Sequence, residues 1–454
     1  MLLKSTLAAA LFSGTMLLAS AAQAADGLLD TTLDNGLRVI IQQDSRAPIA
    51  AIQLWYRVGG IDEPAGKTGI SHLVEHMMFK GTPTLPGKGY SQTMGQLGGS
   101  DNAFTTRDYT YYYSKVPVQH LARTLDIEAD RMQHLSFDEK AFTLEKSVVE
   151  EERRWRVDDN SFGEFDEKLN AATLAVHPYR NPVLGWPDDF AKITLADARN
   201  WYQSWYAPNN ASVVIVGDVD PQAALAEVKR AFGKIARRSL PERANLDALQ
   251  EPVQTALQKK TIPVPADRPI VVMQWRVPAL QPGKPNKEAY ALMLLARLLD
   301  RDPNNVDENL ARRLDDWDVS YNGMSRGFSE FVFTATPRKG ESIDGLVSAL
   351  LREASILRNF TLHEEYLRHG KVSWAAATVF ASDDMLARTT AMGQNALYGF
   401  PPDAYADLQA GIDKVTLRDI VNAADAWLKE ETATVGILQP TPRAAKTHGA
   451  IHDR

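Results

Sequence analysis

The sequence predicts an α+β protein of two tandem homologous domains, each a mostly antiparallel sheet packed with helices. Three observations lead there. The chain has 454 residues, more than one ordinary core accommodates, so at least two domains are expected. Strand-like and helix-like runs are mixed without the regular βαβ alternation of a doubly wound sheet. A segment of the first half also returns in the second. Lys192-Ile193-Thr194-Leu195, Asp197, Trp205, Ala211 and Val213 recur as Lys414-Val415-Thr416-Leu417, Asp419, Trp427, Ala433 and Val435, every pair 222 positions apart. A Thr-Leu-x-Asp helix start is a common capping pattern and carries little alone; the constant offset carries much more. In both copies an amphipathic helix leads into an apolar strand, and the repeat is far longer than a solenoid unit. The domains are placed at 27–236 and 255–440, with a linker at 237–254 and a polar tail at 441–454.

In chain order, the first 24 residues read as a secretory signal peptide. Lys4 supplies the positive start, Leu7 to Leu18 the apolar core, and Ala22-Gln23-Ala24 the cleavage site. The competing reading, an uncleaved anchor, fits the short core and cleavage site less well. Export, into the periplasm of a Gram-negative-type bacterium, is expected. Asp34-Asn35-Gly36 then separates Leu29–Leu33 from Leu37–Gln42 as a hairpin turn. Ile49–Val58 is a further strand. Helical periodicity marks Ile70–Phe79, Ser91–Leu97, Val118–Gln133, Glu139–Arg156 and Asp197–Tyr206, interrupted by strand-like runs at Ala103–Ser114 and Ser212–Val216.

Composition excludes several functions. A formal charge of -7 and a pI near 5.8 argue against a nucleic-acid binder. No long uninterrupted apolar run follows the N-terminus, so no spanning helix is expected in the mature chain. The absence of Cys removes disulfides, thiolate ligands, a Cys nucleophile and a lipidated Cys.

The chemistry concentrates in Ile70–Phe79. His72 and His76 are i and i+4, so both imidazoles leave one helix face and can share a metal; two histidines merely satisfied on a helix are the bland alternative. Glu75 lies beside that metal without needing to bind it, the place of a general base for a metal-bound water. H-x-x-E-H is the inverted zinc motif. A catalytic zinc needs a third protein ligand, and the acidic run at Glu150-Glu151-Glu152 is where to look, although most such runs are solvated faces. Phe142, Glu145, Val149 and Glu152 form one helical stripe. A carboxylate on an apolar stripe needs compensation, which zinc provides. Glu152 is therefore assigned as third ligand and Glu145 as the carboxylate behind the ligands.

With Glu152 76 positions after His76 and Glu145 seven before Glu152, the pattern resembles the M16 (pitrilysin-like) zinc metallopeptidases, and within them the half-length bacterial subfamily related to mitochondrial processing peptidase. Gly98-Gly99-x-x-Asn102-Ala103-x-Thr105-x-x-Asp108, His177-Pro178-Tyr179, Trp205, Pro208-Asn209-Asn210-Ala211 and Gly217-Asp218 extend the likeness. The resemblance implies two like domains per chain and one Zn²⁺. It also implies two chains closing into a clam-shaped chamber, and cleavage of peptides or unfolded polypeptides inside it. It further implies that Asn102, Ala103, Phe104 and Thr105 form an edge that takes substrate as an added strand, which suits broad sequence tolerance; an ordinary strand start is the alternative.

The second half departs from this pattern, with no His between His177 and His363. The family also uses an Arg and a Tyr seven residues later. Here Tyr321 is preceded at that spacing by Leu314, with Arg313 one residue off, a slip that on a helix turns the side chain by about 100°. Either a local irregularity rescues Arg313 or the chain lacks the pair. The second reading is preferred, and it makes a homologous partner subunit the source of Arg and Tyr in a heterodimer, with a homodimer as the alternative; Tyr321 can also be core packing. Two other functions stand beside the peptidase: a non-catalytic peptide-binding or assembly subunit, and a different metal hydrolase.

Overall fold

The computed structural model describes residues 27–442 except 244, 247, 248, 250, 301–305 and 360–363. The expected signal peptide and nearly all of the polar tail lie outside the described residues.

The first half contains β1 (Leu28–Thr32), β2 (Arg38–Gln43), β3 (Ile49–Tyr56), α1 (Ile70–Met77), α2 (Gly89–Gln96), β4 (Ser100–Thr105) and β5 (Thr110–Pro117). It continues through α3 (Leu121–His134), α4 (Glu139–Arg153), α5 (Ser161–Thr173), α6 (Pro187–Ala191), α7 (Leu195–Trp205), β6 (Ala211–Gly217) and α8 (Pro221–Phe232). Its six strands run in the order β1-β2-β6-β3-β5-β4. The β1–β2 turn closes through Gly36 N–H to Leu33 O at 2.8 Å, where the Asn-Gly signal stood. The strand-like run Ala103–Ser114 is corrected to a hairpin. Thr106 Oγ1 accepts from the backbone N–H of Asp108 and Tyr109, both at 3.1 Å, and this local competition turns the chain between β4 and β5.

The second half contains β7 (Gln258–Pro265), β8 (Ile270–Val277), α9 (Lys287–Leu299), α10 (Glu308–Ala311), β9 (Leu314–Tyr321) and β10 (Ser329–Pro337). Then follow α11 (Ile343–Asn359), α12 (Glu364–Asp383), α13 (Met385–Leu397), α14 (Tyr405–Asp413), α15 (Leu417–Trp427) and β11 (Thr434–Thr441). Its five strands run β7-β11-β8-β10-β9.

The sequence repeat is a repeat in space. Thr194 and Thr416 each close a capping box with the Asp three residues on, starting α7 and α15. The following strands occupy equivalent places: β6 is parallel to β2 and antiparallel to β3, and β11 is parallel to β7 and antiparallel to β8. By this correspondence β4 and β9 are matching edge strands. α9 takes the place of α1 but presents buried leucines (Leu292, Leu295 and Leu299) instead of histidines.

Each sheet is covered on one face by a helix from the other half. α13 packs Met385, Met392 and Leu397 against Trp55, Val214 and Val216 of the first sheet. Gly393 is required there, because a Cβ would overlap the Trp55 indole. Reciprocally, Phe165 and Leu169 of α5 pack on Ile262, Val264 and Leu438 of the second sheet.

Candidate active site

The helix carrying the H-x-x-E-H residues is pinned at both ends. α1 begins after Gly69, whose φ of 91° suits glycine and whose Cβ would lie 2.7 Å from Leu184 O. The Glu63 carboxylate accepts from the N–H groups of Gly69 at 2.8 Å and Ser71 at 2.9 Å, satisfying donors that a helix start leaves open. Beyond the other end, Arg131 Nε donates to Met78 O at 3.1 Å. Arg131 is itself buried, paired with Glu128 at 3.0 Å and stacked over Tyr90 at 3.7 Å.

α4 packs beside α1. Phe142, Glu145 and Val149 are buried, while Glu150 and Glu151 are exposed. Glu152 Oε2 lies 3.2 Å from His76 Nε2 and 3.7 Å from His72 Nε2. Glu145 Oε2 meets the other nitrogen of His76, Nδ1, at 3.3 Å, and its Oε1 meets Lys80 Nζ at 2.5 Å. After α4 the chain widens into a π-helical turn at Arg154–Asp158, and Arg156 reaches back to Glu152 Oε1 at 3.0 Å. His72 Nδ1 is buried without a hydrogen-bond partner among the described residues, so on that side the ring has no polar anchor.

These groups fit a zinc ion. Ligands about 2.0–2.2 Å from a tetrahedral zinc stand roughly 3.3–3.6 Å apart, and the two distances to Glu152 bracket that spacing. Burial, then the neighbouring His76, pushes the His72 imidazole down to about 3, so it is neutral and offers a lone pair. Burial also pulls on His76, but its hydrogen bonds to Glu145 and Glu152 outweigh this and lift it to about 9. The site therefore draws positive charge. Donor atoms of His72, Glu75 and His76 also lie within 4.8 Å of one another, so distance alone does not exclude Glu75 as a ligand. The carboxylates differ in kind, however. Burial raises Glu75, which is anchored by Thr105 Oγ1 at 2.6 Å. Although burial opposes it, hydrogen bonding to His76 holds Glu152 below its ordinary value. Glu152 is the better anion for a cation, and Glu75 the better proton acceptor.

β4 is the sheet edge beside this centre. Asn102 and Phe104 are exposed, Phe104 stacks on Tyr111 at 5.4 Å, and Ala103 and Thr105 line the same cavity of about 580 Å³ as His72, Glu75 and Glu152. Arg313 and Tyr321 do not line it. The helical premise for their spacing is corrected: 314–321 is strand β9, and its register against β10 shifts so that Asp315 bulges. The local irregularity exists, yet Arg313 pairs with Glu341 and Asn309, and Tyr321 donates to Pro278 O at 2.6 Å, all within the second half. Sequence reasoning missed Lys80 and Arg156, each four residues beyond a proposed ligand and so open to the helix spacing rule. It also missed Glu63 and Arg131, for which no local signal exists.

Comparison with known proteins identifies the family. Residues 38–186 match the family model described as Insulinase (Peptidase family M16), and residues 192–367 that of the Peptidase M16 inactive domain. The zinc protease PqqE of Helicobacter pylori is 28% identical over 426 residues, covering 90% of this chain and 92% of that one. The probable zinc protease PqqL of Escherichia coli is 33% identical over 248 residues, 52% of this chain and 26% of its own. Among solved structures, a protease from Helicobacter pylori superposes with a TM-score of 0.83 at 24% identity, covering 92% of this chain and 100% of the other. The periplasmic protease PqqL of Escherichia coli superposes with a TM-score of 0.78 at 22% identity, covering 92% of this chain and 48% of that one. At those identities the superpositions speak for the fold.

Proposed function

Because the chain belongs to peptidase family M16, we propose that it is an exported zinc-dependent endopeptidase of the inverted-motif type, with one zinc held by His72, His76 and Glu152. The observation that carries this reading is that Glu152 Oε2 lies 3.7 and 3.2 Å from the Nε2 atoms of His72 and His76, with Glu75 held by Thr105. Bound zinc supplies Lewis acidity, polarising a scissile carbonyl and acidifying water. Glu75 takes the proton from the attacking water onto its carboxylate and returns it to the leaving amine; burial, by raising its basicity, suits it to both steps. Glu145 fixes the His76 ring through Nδ1 and so keeps Nε2 turned toward Glu152. The open edge of β4 at Asn102–Thr105 binds an extended substrate main chain.

The substrate is a peptide or unfolded polypeptide enclosed between two chains. Two observations support a partner. Arg313 and Tyr321 are engaged away from the zinc cavity, and this chain corresponds to about half of PqqL. A homologous subunit supplying Arg and Tyr completes the site, and a second copy of this chain is the simpler alternative. Periplasmic placement agrees with the description of PqqL, and no described helix is long and apolar enough to cross a membrane.

The test combines turnover with metal content. Glu75→Gln is expected to cut kcat on an unstructured peptide by at least about 10²-fold with zinc still bound, whereas Glu152→Ala loses zinc. Undiminished zinc in Glu152→Ala, or retained turnover in Glu75→Gln, sinks the assignment.

A further inference from the structure

A cleft of about 920 Å³ lies where the two halves meet, lined by four arginines and one carboxylate, Glu251. Arg57, Arg243, Arg276 and Arg326 line it, between apolar walls that include Leu280 and Phe328. Buried Asp62 serves two of the four: Arg326 binds it through both terminal nitrogens at 2.7 and 2.8 Å, and Arg243 at 3.0 Å. Asp108 lies behind them, taken by the hydroxyls of Tyr179 at 2.7 Å and Tyr398 at 2.8 Å and by the Arg326 N–H at 2.9 Å. Among the described residues Arg276 has one carboxylate partner, Glu251 at 4.0 Å, and its guanidinium lies 6.0 Å from the Phe328 ring centre. That carboxylate already accepts three backbone N–H groups, from Ala175, Val176 and His177. Arg57 is exposed and forms no ion pair among the described residues. Burial pushes Arg243 down to about 10; Asp62 opposes the fall, and Arg326 and Arg57 add to it.

This cleft is linked to the zinc cavity by shared walls. The cavity around His72 and Glu75 shares Thr105 and Arg107 with a second one of about 540 Å³. The second shares Ser325, Phe328 and Tyr398 with the arginine cleft. On a chain of net charge -7, a local excess of guanidinium is an attractive field within a repulsive one, and partly desolvated arginines favour carboxylates bound two-pronged.

We propose that the arginine cleft is an anion subsite that takes the carboxylates of an acidic segment of the same peptide held at the zinc centre. The inference rests on the peptidase reading for its substrate. Arg57 and Arg276 supply the open donors, and Asp62 holds Arg243 and Arg326 in place beneath them.

The test measures binding to the Glu75→Gln chain by fluorescence anisotropy, so it needs no turnover. The probes are two peptides identical around one cleavable segment, one with four acidic residues in its distal part and one with their amides. The acidic peptide is expected to bind about tenfold tighter at low salt, and inorganic tripolyphosphate to displace it. Adding Arg57→Gln and Arg276→Gln brings the ratio to within about twofold, while Arg57→Lys with Arg276→Lys preserves part of the preference if charge is the cause. Melting curves show that each variant is folded. Equal affinity for the two peptides, or a preference that survives the double Gln variant, overturns the subsite. So does tripolyphosphate binding without an acidic preference, which assigns the cleft to a free polyanion. Cleavage of the amide peptide by the unmodified chain is scored separately and tests only the peptidase reading.

Discussion

His72 and His76 share a helix face but not a supporting shell. His76 Nδ1 meets Glu145, which Lys80 holds in turn, while His72 Nδ1 has no partner among the described residues. The outer contacts of a metal ligand set its ring orientation and basicity, so the proposed site would lean on Glu145 even though Glu145 is not among the proposed ligands. Glu145→Gln keeps an acceptor but gives up the charge that Lys80 and His76 share. Zinc affinity, read by competition with a chromogenic chelator, is expected to drop by about 10–100-fold; unchanged affinity would mean that His76 is held by packing. Spacing alone made His72, Glu75, His76, Glu145 and Glu152 legible, because helical periodicity converts sequence offsets into faces. The Thr105 contact to Glu75 was not legible as such. Thr105 was noticed as part of an edge strand, and only the folding of β4 against α1 brings its hydroxyl to the base.

Helices and strands carry charges of their own at buried positions. Glu353 on α11 is 2% exposed and accepts the Asp307 N–H at 2.8 Å. Burial raises its carboxyl to about 7. The folded chain therefore holds this proton more tightly than the unfolded chain, whose value is near 4.5. The stabilisation is complete below that value, is lost as pH rises through about 7, and amounts to at most about 3 kcal/mol. Glu353→Gln keeps the acceptor without the ionisation. The melting temperature of the unmodified chain is expected to fall between pH 5 and pH 8 relative to that of Glu353→Gln, and parallel profiles refute the argument. At this scale the sequence located most elements of the first half but only α15 and β11 of the second, and its errors have local causes. The Thr106 hydroxyl splits one strand-like run into β4 and β5. The bulge at Asp315 turns a supposed helical slip into a strand irregularity, which periodicity does not reveal.

The two halves are structurally interdependent. α13 covers the first sheet at Trp55, and α5 covers the second at Val264, each buried apolar side chain contributing about 1.5–3 kcal/mol. A fragment ending near residue 240 leaves that face of the first sheet open. It is expected to aggregate or melt without cooperativity, and to gain a sharp transition when co-expressed with the remainder; a monomeric, cooperatively folded fragment contradicts this. Gly393→Leu drives a side chain into the indole and should lower the melting temperature of the intact chain by several degrees, consistent with an overpacking cost of about 1–3 kcal/mol.

By itself the sequence determined the class of the fold, its duplication and the residues proposed to hold zinc. All three are encoded in short-range periodicity or in a constant offset, which survive without coordinates. Tertiary structure alone decided which helix covers which sheet, that Glu63 and Arg131 clamp the ends of α1, that Arg313 and Tyr321 turn away from the zinc cavity, and that four arginines gather where the halves meet. Those groups come from segments far apart in the chain. Contacts at such separations are chosen by shape and burial across the whole molecule, and no local pattern announces them.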